Sequence, residues 1–243
     1  MTERLPVRWH VARVAGRHPE TPSAVRLELD VPTWPGNHAG SHLDIRLTAP
    51  DGYQATRSYS IASSGHVTRV VLAVDEVPDG EVSPFLVHDV AEGEQIEVHG
   101  PLGRFFVWEP SDDPSPVQLI AGGSGVVPLF AIAAAREREA QGEQFRLLYS
   151  VRTPRDVFFA EELAGLARTE VDIVHTRTRA EGSMRPAGRL TLDEVAERTF
   201  PASLSPRIYV CGPTPFVETV AGWLRGLGHD AQRIRTERFG GSR

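Results

Sequence analysis

The hydrophobic pattern of this 243-residue chain changes period once, at Ser111-Asp112-Asp113-Pro114-Ser115-Pro116. Before that segment, short stretches alternate apolar with polar residues. They are Val25-Arg26-Leu27-Glu28-Leu29, His42-Leu43-Asp44-Ile45-Arg46-Leu47, Val70-Val71-Leu72-Ala73-Val74 and Gln95-Ile96-Glu97-Val98. A period of two turns one side of each stretch toward a core. Turn formers separate them at Trp34-Pro35-Gly36-Asn37, Pro50-Asp51-Gly52, Pro78-Asp79-Gly80 and Glu92-Gly93-Glu94. Strands at this spacing predict an antiparallel barrel or sandwich. A polar, proline-rich joint followed by a new pattern predicts two domains: β over residues 1–110, a linker over 111–116 and α/β over 117–243.

Beyond the joint, strands alternate with helices. The strand Val117-Gln118-Leu119-Ile120-Ala121 precedes an alanine-rich helix from Val127 to Ala140. Phe145-Arg146-Leu147-Leu148-Tyr149 precedes a helix from Asp156 to Ala167, and Val171-Asp172-Ile173-Val174 precedes one opened by the capping box Thr191-Leu192-Asp193-Glu194. Arg207-Ile208-Tyr209-Val210 leads into a helix capped by Thr214, with Pro215 first and Gly228 past its end. Its Phe216, Val220, Trp223, Leu224 and Leu227 form one apolar stripe, read as core. Arg233 to Glu237 reads as a final strand. This alternation predicts a parallel, doubly wound sheet.

Composition excludes several classes. The net charge of −6 gives no electrostatic case for nucleic acid. With neither a long apolar run nor a signal-peptide pattern at the polar start Thr2-Glu3-Arg4-Leu5-Pro6, no membrane association is expected, and a cytoplasmic location is the default. Cys211 is the only cysteine, so these residues form no intrachain disulfide and bind no iron–sulfur cluster through cysteines. His38 and His42 have a helical ligand spacing, but Pro35-Gly36 and Ala39-Gly40-Ser41 argue against a helix there, so no metal site is expected. A two-domain monomer is the default.

Arg57-Ser58-Tyr59-Ser60 gathers a cation, a phenol and hydroxyls in one strand-like segment. A cation holds a phosphate, an aromatic lies against a planar ring, and a hydroxyl bonds a ring nitrogen. The same residues also suit a half-exposed edge strand, and the segment alone leaves both readings open. Ser83 reads as the N-cap of a short helix with Pro84 first and Phe85, Leu86 and Val90 as apolar contacts. With Gly80 ahead of it, that helix start suits an anion, or the helix simply plugs the barrel. Ala121-Gly122-Gly123-Ser124-Gly125 lies at the carboxyl end of a strand, where glycines let the backbone approach a pyrophosphate. Cys211-Gly212-Pro213 lies at the end of another, and a buried inert thiol beside a turn explains it equally.

In this order, the segments Arg57-x-Tyr59-Ser60, Gly80-x-Val82-Ser83, Gly100-Pro101-Leu102-Gly103-Arg104-Phe105, Gly122-Gly123-Ser124-Gly125-x-x-Pro128 and Cys211-Gly212-Pro213 resemble the ferredoxin–NADP reductase superfamily. The likeness spans nearly the whole chain and is closest to the flavin and pyridine-nucleotide modules of bacterial oxygenase reductases. It implies an N-terminal antiparallel six-stranded flavin-binding β-barrel and a C-terminal NAD(P)H domain. Arg57 would pair with a flavin phosphate, Tyr59 would lie against the isoalloxazine or ribityl chain, and Ser60 would bond near N5, with Ser58 in the same segment. Gly80, Val82 and Ser83 would give backbone donors to the pyrophosphate. Gly122, Gly123, Ser124 and Gly125 would cradle the NAD(P)H phosphates and ribose. Cys211 would sit by the nicotinamide, with Gly212 and Pro213 shaping the turn. The run Gly100 to Phe105 would close the barrel against the second domain. Phe239 would approach the flavin, although Gly240 to Arg243 follow it. Glu237 would relay a proton or be a plain surface carboxylate.

The resemblance implies an oxidoreductase that takes hydride from NADPH or NADH onto FAD and releases electrons to a separate redox acceptor, such as a ferredoxin or oxygenase component. Many relatives carry a fused ferredoxin domain, which these residues lack. Thr176-Arg177 and Arg152 supply a hydroxyl and cations for an adenosine 2′-phosphate, which favours NADPH. Gly80-x-Val82-Ser83 favours FAD; FMN, as in the phthalate dioxygenase reductase branch, is second. The alternatives are a flavin-binding electron-transfer or sensor subunit without turnover, or an NAD(P)H:flavin or dye reductase.

Overall fold

The computed structural model describes residues 5–111, 113–140, 142–179, 182 and 184–240. Asp112 of the expected linker, the first four residues and residues 241–243 lie outside the described residues. Two compact units are present, Met1–Glu109 and Pro110–Arg243.

The first unit is a six-stranded antiparallel sheet. Its strands are β1 (Arg8–Thr21), β2 (Ala24–Asp30), β3 (His42–Thr48), β4 (Gln54–Ser60), β5 (Arg69–Asp75) and β6 (Gln95–Leu102), in the order β4-β3-β6-β1-β2-β5. Ile61 bridges to Leu72, and the Ala62 amide donates to the Val71 carbonyl at 2.8 Å. The outermost strands therefore meet, and the sheet closes into a barrel that leaves no long free edge. Inward residues such as Leu27, Leu43, Ile45, Leu72 and Val98 fill it completely buried.

Strand β1 escapes the pattern reading for a physical reason. Its inward positions His10, Ala12, Val14 and Gly16 are small or polar, while Trp9 and Val11 face outward. Size and burial are thus inverted along its first half. A π-helical turn, Phe85–Asp89, plugs the barrel with Leu86 and Val87. Its N-cap is Pro84 and not Ser83, and no side chain caps it. The Ser83 hydroxyl instead accepts the Val77 amide at 3.0 Å, because the preceding turn lies within its reach.

The second unit holds a five-stranded parallel sheet with helices. The elements are β7 (Val117–Gly122), α1 (Val126–Glu137), β8 (Phe145–Val151), α2 (Ala160–Ala164), β9 (Thr169–His175), α3 (Leu192–Arg198), β10 (Arg207–Pro213), α4 (Thr214–Gly226) and β11 (Ile234–Phe239). The strand order β11-β10-β7-β8-β9 reverses between β7 and β10. Ligands of such sheets bind outside the carboxyl ends of strands at that reversal.

Three local expectations change. The helix expected over 156–167 shrinks to α2, because Phe159 takes a left-handed conformation (φ 53°) at its N-cap. That turn buries Phe158 and Phe159 and stacks Phe159 on Phe130, with centroids 4.1 Å apart. Gly212 and Pro213 belong to β10, pairing with Arg238 and Phe239, and do not form a turn after it. Pro213 is consequently the N-cap of α4, and the Thr214 hydroxyl donates to the Gly240 carbonyl at 3.3 Å instead of capping the helix. The capping box of α3 is present in both directions between Thr191 and Glu194. The apolar stripe of α4 packs in the core, with Val220 and Leu224 fully covered.

The proline-rich joint is anchored. Asp113 accepts the Ser115 amide at 2.9 Å and pairs with Arg233 at 3.0 Å. Bonds from Ser115 and then the Arg233 cation hold its carboxyl down at about 2.

Candidate functional site

Alternation along β4 turns Arg57 and Tyr59 toward the same side of the barrel wall. Tyr59 is half-buried against the barrel core, and burial pushes its phenol well above the ordinary range. It is therefore a neutral, partly exposed ring. Ser60, at the end of β4, is buried, and its hydroxyl has no hydrogen-bond partner among the described residues. An orphaned buried hydroxyl is costly unless a ligand supplies the missing bond. Ser58 behaves differently: its hydroxyl donates to Asp44 at 2.5 Å across the β3–β4 pair. That bond turns its side chain away from Arg57 and Tyr59.

Arg57 is exposed and already engaged. One arm of its fork donates to its neighbour's carbonyl, Thr56, at 2.8 Å, and the other to Glu81 at 2.6 Å. Glu81 also accepts from the Tyr53 phenol at 2.6 Å. These bonds, that from Tyr53 first, keep the Glu81 carboxyl below its usual range. Glu81 and Tyr53 are absent from the sequence reading, where Glu81 is merely the unspecified place in Gly80-x-Val82-Ser83. No local signal marks it as a neighbour of Arg57, because the two lie 24 residues apart and meet only across the fold. The Gly80 amide is bonded to the Val77 carbonyl at 2.9 Å, so Gly80 shapes the turn and is not free to donate elsewhere. Val82 and Ser83 are both buried.

In the second unit, the glycine segment bridges β7 and α1 as a 3₁₀ turn, Gly123–Gly125. Gly123 is left-handed (φ 56°) with open space around its missing side chain. Gly125 is required by close approach: a Cβ there would lie 2.3 Å from the Cys211 carbonyl oxygen. Glycine thus lets the turn after β7 rest on the end of β10. Gly122 is buried, while Ser124 is half-exposed.

Cys211 pairs in register with Ala121 on one side and Glu237 on the other. It is completely buried, and desolvation followed by the neighbouring Glu237 charge raises its thiol well above the ordinary range. The thiol is uncharged at neutral pH and packs as a small apolar group. Burial raises the Glu237 carboxyl to about 7, so it can hold or lose a proton near neutrality. Phe239 ends β11 opposite Pro213, half-buried.

At the carboxyl ends of β8 and β9, the Thr176 amide donates to the Val151 carbonyl at 2.8 Å and the Arg177 amide to the Arg152 carbonyl at 2.9 Å. These bonds set Arg152 and Arg177, both exposed, side by side just beyond the ends of adjacent strands. Arg152 is loosely paired with Asp156 at 3.5 Å. No described helix is long and apolar enough to cross a membrane.

Comparison with known proteins supplies the family. Residues 20–107 match the oxidoreductase FAD-binding domain and residues 119–222 the oxidoreductase NAD-binding domain. The chain is 33% identical over 217 residues to a flavohemoprotein of Rhodopirellula baltica, covering 83% of this chain and 52% of that protein. It is 31% identical over 214 residues to the glycine betaine monooxygenase reductase subunit of Pseudomonas aeruginosa, covering 85% and 56%. The chain therefore spans about half the length of these curated relatives. Among solved structures, the FAD/NAD-binding domain of nitric oxide dioxygenase from Vibrio cholerae superposes with a TM-score of 0.82 at 25% identity, over 96% of this chain and 99% of that one. The chain belongs to the ferredoxin–NADP reductase superfamily, as a FAD-binding β domain followed by an NAD-binding α/β domain.

Proposed function

We propose that this chain passes a hydride from NAD(P)H, with NADPH preferred, to FAD, and then delivers electrons to a separate acceptor such as a ferredoxin or an oxygenase component. The observation that carries the reading is the buried, unpartnered Ser60 hydroxyl at the end of the strand that presents Tyr59 and Arg57. That triplet fits a flavin: a hydroxyl for a ring nitrogen, a neutral phenol for the ring and a planar cation for the phosphate. Bound FAD would supply a hydride acceptor that takes two electrons together and releases them singly.

The chain's own groups would position and protonate. Val82 and Ser83 offer backbone amides to the pyrophosphate, with Gly80 holding the turn ahead of them. Gly122, Gly123, Ser124 and Gly125 would present backbone to the nucleotide phosphates, and Gly212 with the exposed Pro213 would form the wall beside the nicotinamide, with the small, uncharged Cys211 buried behind them. Phe239 would shield the ring. Glu237, titrating near 7, would hold the proton that accompanies reduction. Arg177, Arg152 and Thr176 would receive the adenosine 2′-phosphate. The reductase subunit of a monooxygenase among the relatives supports an acceptor on another chain.

Rapid mixing of the purified flavoprotein with each nucleotide tests this directly. NADPH should bleach the flavin without any partner, and kcat/KM should favour NADPH over NADH. Arg177→Ala should lower kcat/KM for NADPH by about tenfold, the scale of a lost charge-assisted hydrogen bond, while sparing NADH. A clear NADH preference would remove the donor assignment, and an unbleached flavin would leave a non-turnover subunit.

A further inference from the structure

We propose that Glu81 makes this flavin site selective for FAD over FMN. The inference rests on Arg57 being the flavin-phosphate ligand. Glu81 stands between that cation and Tyr53, bonded to each at 2.6 Å. The second arm of Arg57 is held by the Thr56 carbonyl, so a phosphate reaching Arg57 also meets the Glu81 carboxylate. The two flavins differ at this point. FMN ends in a phosphomonoester whose second ionisation lies near pH 6, so it is largely dianionic at neutral pH. FAD carries a pyrophosphate with one charge on each phosphorus, followed by a ribose whose hydroxyls donate.

A fixed carboxylate repels the concentrated charge of FMN and accepts from the hydroxyls of FAD. Attraction to one ligand and repulsion of its competitor act in the same direction, which is how specificity is best built. A cavity of about 490 Å³ opens beside Glu81, lined among others by Tyr53, Ala55, Phe85 and Gln95. It is within the size range of small-ligand pockets, and it offers two aromatic rings and an amide to a purine. FMN has nothing to place in it. Because Arg57 and Glu81 are both exposed, solvent screening limits the expected effect.

The test is direct titration of flavin-stripped protein with FAD and with FMN, followed by quenching of flavin fluorescence. Wild type should prefer FAD. Glu81→Gln should tighten FMN, weaken FAD and shrink the ratio of their Kd values by roughly fivefold to tenfold. Arg57→Ala should weaken both flavins. If Arg57→Ala weakens both but Glu81→Gln leaves the ratio within about twofold, the selectivity assignment falls and the phosphate site stands. If Arg57→Ala weakens neither, the phosphate site falls and the selectivity with it. Circular dichroism of both variants reports whether the barrel is intact.

Discussion

Glu237 lies opposite Cys211 in the β10–β11 pair, and burial gives it an affinity for a proton that its sequence does not betray. In the unfolded chain a glutamate titrates near 4.3, and here the carboxyl titrates at about 7. The folded state therefore binds this proton more tightly than the unfolded state. That linkage lowers stability as pH rises from about 4.5 to 7, after which the loss is complete. Glu237→Gln removes the charge and keeps the shape. It should raise stability by about 1–3 kcal/mol at pH 8 and by nothing measurable at pH 4. Melting temperatures of both proteins at the two pH values check this, and an equal gain at both would show that the carboxylate is not the cause. The residue types proposed for the flavin are readable in sequence because phosphate, ring and ring nitrogen each demand one kind of group. Partners were not legible. That Ser58 spends its hydroxyl on Asp44 while Ser60 keeps an orphan, or that Glu81 engages Arg57, depends on which strand lies alongside, and local sequence does not carry that.

The turn from β7 into α1 makes a sharper demand than its glycine count suggests. Gly123 has a left-handed backbone but room for a methyl group, whereas Gly125 has an ordinary backbone and none, with the Cys211 carbonyl against it. Gly125→Ala must push α1 off the end of β10, because a backbone oxygen cannot rotate away. We expect it to cost about 2–4 kcal/mol, against about 1–2 kcal/mol for Gly123→Ala from left-handed strain alone. Urea unfolding of both variants measures the difference, and the reverse order would refute the close-approach argument. Elements whose burial followed their apolar pattern, such as β2, β3 and α4, were readable in advance. Strand β1 was not, since its larger apolar residues face outward, and α2 was overestimated because Phe158 and Phe159 gain more by burial than the helix gains by continuing.

Each half of the molecule has its own sheet and its own core. The barrel core draws on residues between Ala12 and Val98, and one core cluster of the α/β unit on residues between Ile120 and Ile234. The hydrophobic period changes over residues 111–116, which belong to the second unit, and Asp113 in that joint pairs with Arg233 and Arg207. Separate cores imply separate cooperative units, each stabilised only by the ligand it binds. Calorimetry of the flavin-stripped chain should then show two transitions. FAD at one hundred times its Kd should stabilise one of them by about 2.7 kcal/mol and leave the other in place, and NADPH should do the converse. Lowering the pH toward 2 should erode the transition of the α/β unit as Asp113 protonates, because a carboxyl held at about 2 stabilises the fold above its unfolded pKa and loses that stabilisation as the pH falls toward 2. A single transition that shifts with either nucleotide would mean that the two cores unfold as one, and that binding at one site is felt at the other.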